Sequence, residues 1–379
     1  MKISNIQSIK ILNSRSKWTI ETALALEDGS IGVASVPEGV SKGKTEAVSL
    51  PVKEAIFHIS RISQDLYKQD FKNQEDFDKY LIKLDGTPNK SNLGGNTTLC
   101  LSIAFAKASA VSKNIPPYTY FNSLWGMSKK YTIPKMMMLM LEGGKHGSGD
   151  MSIQEFMYLV DTLKEGNDLY DKVRGYLSNK NLPIEVGLEG AFSPKGVNNI
   201  KALDILAQIS PNTPICLDVA FSSKDLKKLD YKLLTTNYKL ISIEDPFGEE
   251  DWKNWSQFNK KYGDTILVVG DDLTTTNRSR IEKAVNLNAI NAIIIKPNQI
   301  GTISESINAV SYSQKNGLKI IVSHRSGETN DDYIADFAVG VGADYVKFGS
   351  PSRGERVAKY NRLLAIEKFL RNNPFKFIL

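Results

Sequence analysis

Apolar and polar residues alternate along residues 3–11 and again along 19–26, the period of strands with one buried face. Glu27-Asp28-Gly29-Ser30 supplies a hairpin turn, and a third alternating run covers 31–36, so the chain opens with a small antiparallel meander. The period then changes. Over 97–113, Leu99, Ile103, Ala106 and Ala110 recur at helical spacing behind the turn residues Gly94-Gly95-Asn96. A boundary is expected near Pro116-Pro117 and the polar stretch 123–132, giving an N-terminal α+β domain over 1–125 and a second domain over 126–379. Beyond Pro134, nine short β-rich runs alternate with polar stretches long enough for helices: 135–141, 154–160, 184–190, 214–220, 240–246, 265–272, 292–298, 319–325 and 343–349. Alternation of this kind predicts βα units and a parallel sheet.

Where the runs end is more informative than where they begin. From the third onward they lead into Glu189, Asp218, Glu244, Asp271, Lys296, His324 with Arg325, and Lys347. Asp alone would suit a turn, but Glu and Lys have no turn chemistry to account for them. In a β/α barrel the carboxyl ends of the strands open onto one face, which holds the active site. The pattern therefore predicts an α/β fold: a barrel with an ionisable mouth and a smaller α+β domain beside it.

Composition sets the class. The chain has 379 residues, 48 Lys plus Arg against 42 Asp plus Glu, 41% apolar and 24% charged residues, which excludes disorder and fibre. Cys100 and Cys216 lie far apart in apolar surroundings, which fits core positions in a reducing compartment and not a disulfide framework. The longest apolar run, 136–141, is far too short to span a membrane. The N-terminus lacks a signal-peptide apolar core, and a cytoplasmic location is expected. A net charge of +6 is spread along the chain without a basic arm; this disfavours nucleic acid as a partner and suits an anionic small substrate.

Asp218, Glu244 and Asp271 come from successive runs, so a barrel sets them side by side. Hard carboxylate oxygens without a Cys or His cluster suit Mg²⁺, although Asp271, beside Asp272, would also serve as a helix cap or a lysine partner. Lys296 would reach the same pocket, where burial near a cation lowers a lysine pKa enough for a general base. Glu189 is the natural acid partner, supported by Glu155 and His146. By itself, His146 reads equally as an exposed loop histidine after two glycines. His324-Arg325-Ser326 is a donor-rich unit for a phosphate or carboxylate. Gly43-Lys44-Thr45 mimics the end of a phosphate loop, but the glycine needed five residues earlier is Glu38. Residues 37–43 instead read as a loop able to close over the barrel mouth.

Four stretches together carry a family resemblance: Ser242-Ile243-Glu244-Asp245-Pro246-Phe247, Gly270-Asp271-Asp272-Leu273-Thr274, Lys296-Pro297-Asn298-Gln299-Ile300-Gly301-Thr302, and Ser323-His324-Arg325-Ser326-Gly327-Glu328-Thr329. Supporting segments are Asn89-Lys90-Ser91-Asn92-Leu93-Gly94, Gly143-Gly144-Lys145-His146 and Gln154-Glu155-Phe156. The chain resembles enolase, the phosphopyruvate hydratase of glycolysis, over nearly its whole length. The resemblance implies an enolase-type β/α barrel of eight strands that opens with an antiparallel hairpin, leaving the Glu189 run outside the barrel. It also implies Mg²⁺ on Asp218, Glu244 and Asp271, with Ser41 binding a second ion. Lys296 would take the C2 proton of 2-phosphoglycerate and Glu189 would help expel the C3 hydroxyl. A Lys or His base with one or two Mg²⁺ is a general property of the enolase superfamily, and it is the resemblance that carries it to these positions. Arg325 and Ser326 would hold the phosphate and Lys347 the carboxylate, while His146, Glu155 and His324 line the pocket. A homodimer or higher homo-oligomer is implied by the family alone.

The chain departs from the pattern in several places. Asn13-Ser14-Arg15-Ser16-Lys17-Trp18 replaces Asp-Ser-Arg-Gly-Asn-Pro, and Glu38 and Lys42 replace Ser and Thr in the closing loop. Leu188-Glu189-Gly190-Ala191 replaces Asp-Glu-Gly-Gly, and Glu142 stands where Asn usually precedes the two glycines. Two alternatives to a working enolase follow: an enolase-like protein of low activity with a binding role, suggested by the altered loop, and a barrel lyase for another 2-hydroxy acid, disfavoured by the intact His324-Arg325-Ser326 unit.

Overall fold

A computed structural model of the chain describes residues 1–40, 43–126, 131–221, 226 and 229–372. The three N-terminal runs form β1 (Ile3–Leu12), β2 (Trp18–Leu26) and β3 (Ile31–Ser35), an antiparallel sheet in the order β1-β2-β3. Asp28 accepts the Ser30 N–H at the β2–β3 turn, where Gly29 takes the left-handed φ of +85° that the turn needs. The predicted helix is present as Gly95–Ser112, but 14 of its 18 residues are buried. It is wedged between the sheet and the barrel, so its buried polar residues are small ones. Thr98, for example, donates to the Gly301 carbonyl at 2.8 Å. The sheet approaches this helix at Gly32, where a Cβ would lie 2.0 Å from the Ala104 carbonyl oxygen.

Eight strands close the barrel: β4 (Lys135–Glu142), β5 (Glu155–Val160), β6 (Ile215–Asp218), β7 (Leu240–Glu244), β8 (Leu267–Gly270), β9 (Ala292–Ile295), β10 (Lys319–Ser323) and β11 (Tyr345–Lys347). Strand β5 runs antiparallel to both β4 and β6, and all other neighbours are parallel. The strands read as continuous apolar runs because both faces are covered, one by helices and one by the barrel interior. Met137, Leu139, Met157, Cys216, Val269 and Ile294 are among the side chains that fill that interior. Cys100 and Cys216 are both free and buried, and burial pushes the Cys100 thiol up to about 12.

The run at 184–190 is not a strand. It makes a bridge from Val186 to Phe192 and folds back over the end of β4 through Glu142 N–H to Phe192 O and Gly187 N–H to Ala191 O. Gly190, at φ +86°, turns the chain there. Glu189 therefore reaches the mouth from a tight turn, which corrects the strand-end reading of the apolar pattern and agrees with the placement implied by the resemblance. Among the described residues, no helix is long and apolar enough to cross a membrane.

Candidate active site

The barrel register brings the acidic residues together. Glu155 pairs with Asp218, and Asp218 with Glu244, across β5, β6 and β7. Because β5 runs in the reverse sense, it delivers Glu155 to the mouth with its first residue. Lys347, the last residue of β11, extends its Nζ among all three carboxylates: 2.8 Å from Glu244 Oε2, 3.0 Å from Asp218 Oδ2 and 3.1 Å from Glu155 Oε2. Burial would lower the Lys347 pKa, but the surrounding carboxylates, Asp218 first, raise it well above the usual lysine range. Burial drives Glu155 up to about 8 despite the ammonium, and it drives Glu244 well above its usual value.

Lys296 follows β9 and pairs with Asp271 Oδ2, while Gln299 donates to Asp271 Oδ1 at 2.9 Å. This corrects the expectation of a lowered lysine pKa. Burial does act downward on Lys296, but the adjacent Asp271 charge outweighs it and the net direction is up. Asp271 lies correspondingly low: Lys296, then Lys347, overcome its burial.

Across the pocket, Glu189 lies 2.9 Å from His324 Nε2 and 3.5 Å from His146 Nδ1, and His146 is also 3.7 Å from Glu155. His146 is 6% exposed, so it is a pocket residue and not an exposed loop histidine. Burial also acts upward on Glu189, but the neighbouring imidazoles, His324 first, hold its carboxyl well below the usual range. Desolvation brings His324 down to about 4 and lowers His146. Beneath this turn Glu142 is fully buried and accepts the backbone N–H groups of Glu189 at 3.1 Å and Ala191 at 3.0 Å. By sequence, Leu188 marks the loss of a carboxylate near Glu189; in the fold, Glu142 supplies one from the other side.

Arg325 is gripped by Glu46, with Nη1 3.0 Å from Oε2 and Nη2 3.2 Å from Oε1, and it also donates to Asn298 at 3.1 Å. The Ser326 hydroxyl accepts the Val40 N–H at 3.0 Å, and Glu38 and Gly327 exchange backbone hydrogen bonds. The 37–40 arm thus rests on the 325–327 segment. Gly39 is required there, since a Cβ would lie 1.8 Å from an Arg325 nitrogen. Ser41 and Lys42 lie outside the described residues.

The donors suit a hard divalent cation. Asp218, Glu244 and Asp271 present only carboxylate oxygens, and Glu244 Oε1 is buried without a hydrogen-bond partner among the described residues. The trio does not converge on one point, because Lys347 and Lys296 sit among its oxygens. Asp245, Asp271 and Asp272 do offer oxygens within 4.8 Å of one another, but Asp245 spends both of its oxygens on the N–H groups of Asp271 and Asp272. Sequence reasoning missed Glu46, Gln299 and Asn298, although the last two lie inside the quoted lysine motif. It also missed Arg356, which a helix carries into the site with no local signal.

A carboxylate-ringed barrel mouth with a strand-end lysine and a buried arginine-serine pair defines a protein of the β/α-barrel class with its ionisable groups gathered at one face. Comparison with known proteins narrows this. The family model described as "Enolase, N-terminal domain" matches residues 3–121, and "Enolase, C-terminal TIM barrel domain" matches 130–220 and 214–375. A protein named Enolase from Ehrlichia ruminantium (strain Gardel) is 38% identical over 413 aligned positions, covering 98% of this chain and 97% of its own. One of the same name from Methanosarcina mazei is 40% identical over 412, covering 97% and 95%. The chain belongs to the enolase family and is a lyase, a phosphopyruvate hydratase. The family implies a divalent metal ion and a small-molecule substrate.

Proposed function

We propose that the chain catalyses the reversible dehydration of 2-phosphoglycerate to phosphoenolpyruvate, with Mg²⁺, as a glycolytic enzyme of the cytoplasm. The observation that carries this reading is the placement of a partly buried lysine and a buried carboxylate, Lys296 and Glu189, in one cavity with Arg325, Ser326 and Lys347. Arg325 and Ser326 bind the phosphate; Lys347 binds the carboxylate. Lys296 takes the C2 proton, and Glu189, with Glu155, His146 and His324 around it, assists departure of the C3 hydroxyl. Asp218, Glu244 and Asp271 would hold Mg²⁺, with Ser41 for a second ion, and the cations would supply electrostatic stabilisation of charge on the substrate carboxylate. Were Asp271 to bind a cation, less would oppose the burial that acts downward on Lys296, which would favour its role as base.

We assign two domains, 1–125 and 126–379. The exposed apolar side chains on the outer face of the N-terminal sheet, Ile9, Ile31 and Val33, support a homodimer built on that face. The test follows the absorbance of the conjugated enol phosphate after 2-phosphoglycerate is added, with and without Mg²⁺. A metal-dependent rise is expected, lost in Lys296→Ala while folding and Mg²⁺ binding persist. Folded protein that binds Mg²⁺ and gives no rise would overturn the assignment in favour of a binding role.

A further inference from the structure

Arg356 lies on the C-terminal helix Gly354–Asn372 and is completely buried. Its Nη1 lies 2.9 Å from His324 Nδ1 and also donates to the Arg325 carbonyl. Its Nη2 donates to the Ser326 carbonyl at 2.8 Å and reaches the Leu188 carbonyl at 3.5 Å. One guanidinium thus touches the imidazole beside Glu189, the backbone of the phosphate cradle and the turn that carries Glu189. A guanidinium has donors only, so the His324 nitrogen facing it must offer a lone pair. The ring proton is then confined to Nε2, the nitrogen 2.9 Å from the Glu189 carboxylate. The ring has little room to reorient: Gly349 closes one side, and a Cβ there would lie 2.8 Å from His324 Cε1 and 3.2 Å from Arg356 Cδ.

We infer that Arg356 is a positioning residue for the reaction: it fixes the neutral Nε2–H tautomer of His324, so that this imidazole keeps its proton on the nitrogen nearest Glu189 and cannot take up a second one on its far side. The role rests on the reading of Glu189 and His324 as pocket residues of the dehydration. The other charges facing His324 are Glu189 itself and, farther off, Glu328. A carboxylate on one side and no guanidinium on the other is the arrangement that makes a histidine cationic.

The chain has three histidines, His58, His146 and His324, so ring ¹⁵N spectra of histidine-labelled protein resolve them. In the wild type, His324 is expected to show a protonated Nε2 and an unprotonated Nδ1, unchanged between pH 8 and about 5.5. In Arg356→Met, Nδ1 should become protonated in a measurable fraction of molecules at pH 7 and kcat should fall at least about tenfold, since a wrong tautomer is severe where an imidazole orients a catalytic group. Arg356→Lys, whose ammonium also only donates, should restore the Nε2–H tautomer and part of kcat. A wild-type His324 protonated on Nδ1 would overturn the inference. So would a folded Arg356→Met with an unchanged tautomer and only a raised KM, the signature of a purely structural hold on the Arg325 and Ser326 carbonyls. If Arg356→Met does not fold, the wild-type and Arg356→Lys spectra decide alone. Absence of turnover in wild-type protein with the expected tautomer would count against the proposed reaction and leave the Arg356 assignment standing.

Discussion

Three carboxylates converge on the Lys347 ammonium, each within 3.1 Å of its Nζ. Replacing this lysine by Met keeps the aliphatic stem and leaves Glu155, Asp218 and Glu244 facing one another in a buried site. Removing one partner of a buried ion cluster costs about 3–5 kcal/mol. Proton uptake by Glu155, already pushed up to about 8, limits the penalty, so we take about 4 kcal/mol. For 379 residues the entropy of unfolding is about 0.8 kcal/mol/K near 60 °C, and the loss corresponds to about 5 °C in Tm. Mg²⁺ should reverse part of this. At a free concentration of a hundred times Kd it contributes about 2.7 kcal/mol, and more in the variant, whose carboxylates no longer share their oxygens with an internal ammonium. The assay is thermal unfolding by circular dichroism, in chelator and in Mg²⁺, for wild type and Lys347→Met. The gap between them should be widest in chelator and narrow with Mg²⁺. Equal melting in chelator, or a larger Mg²⁺ shift in the wild type, would refute the picture of Lys347 as the internal counter-ion of the carboxylates.

Glu142→Ala should leave the Glu189 and Ala191 N–H groups unsatisfied in a buried turn, costing roughly 2–3 kcal/mol and lowering kcat; urea unfolding with steady-state kinetics checks both, and unchanged stability would show that the turn holds without it. Gly39→Ala forces a methyl onto the Arg325 guanidinium, so KM for the phosphorylated substrate should rise by more than about tenfold, which initial-rate measurements test. Burial raises Asp78 to about 6 from an ordinary value of 3.8. The folded state therefore holds this proton more tightly than the unfolded state, and the contribution is complete below pH 3.8 and lost as pH rises through 6. The stability of Asp78→Asn relative to wild type should improve by about 2.4 kcal/mol between pH 4 and pH 7; a difference independent of pH contradicts the shift.

The barrel was legible because its strands are apolar on both faces and end on charged residues that no turn requires. The alternation of 3–11 and 19–26 likewise revealed the sheet, since one face of the first strand meets the helix Val52–Leu66 and one face of the second meets the Gly95–Ser112 helix. Apolarity could not separate 184–190 from a strand, because Ile184, Val186 and Leu188 alternate with polar or small residues as in a strand, although the first two are exposed. The state of the site groups was least legible. A strand-end lysine can be lowered by burial or raised by a carboxylate, and only the position of Asp271 decides between them. Glu46 and Arg356 act at the site from 279 and 31 residues away from their Arg325 partner, a separation that no local pattern encodes.

At the seam of the barrel, β11 joins β4 through two residue pairs, Tyr345 with Lys135 and Val346 with Met136, so the ring closes between segments lying far apart in the chain. On a ribosome, Glu155, Asp218 and Glu244 emerge well before Lys347 does. The strand that completes the circle also brings the ammonium shared by all three carboxylates, so closing the barrel and supplying their common counter-charge are one event.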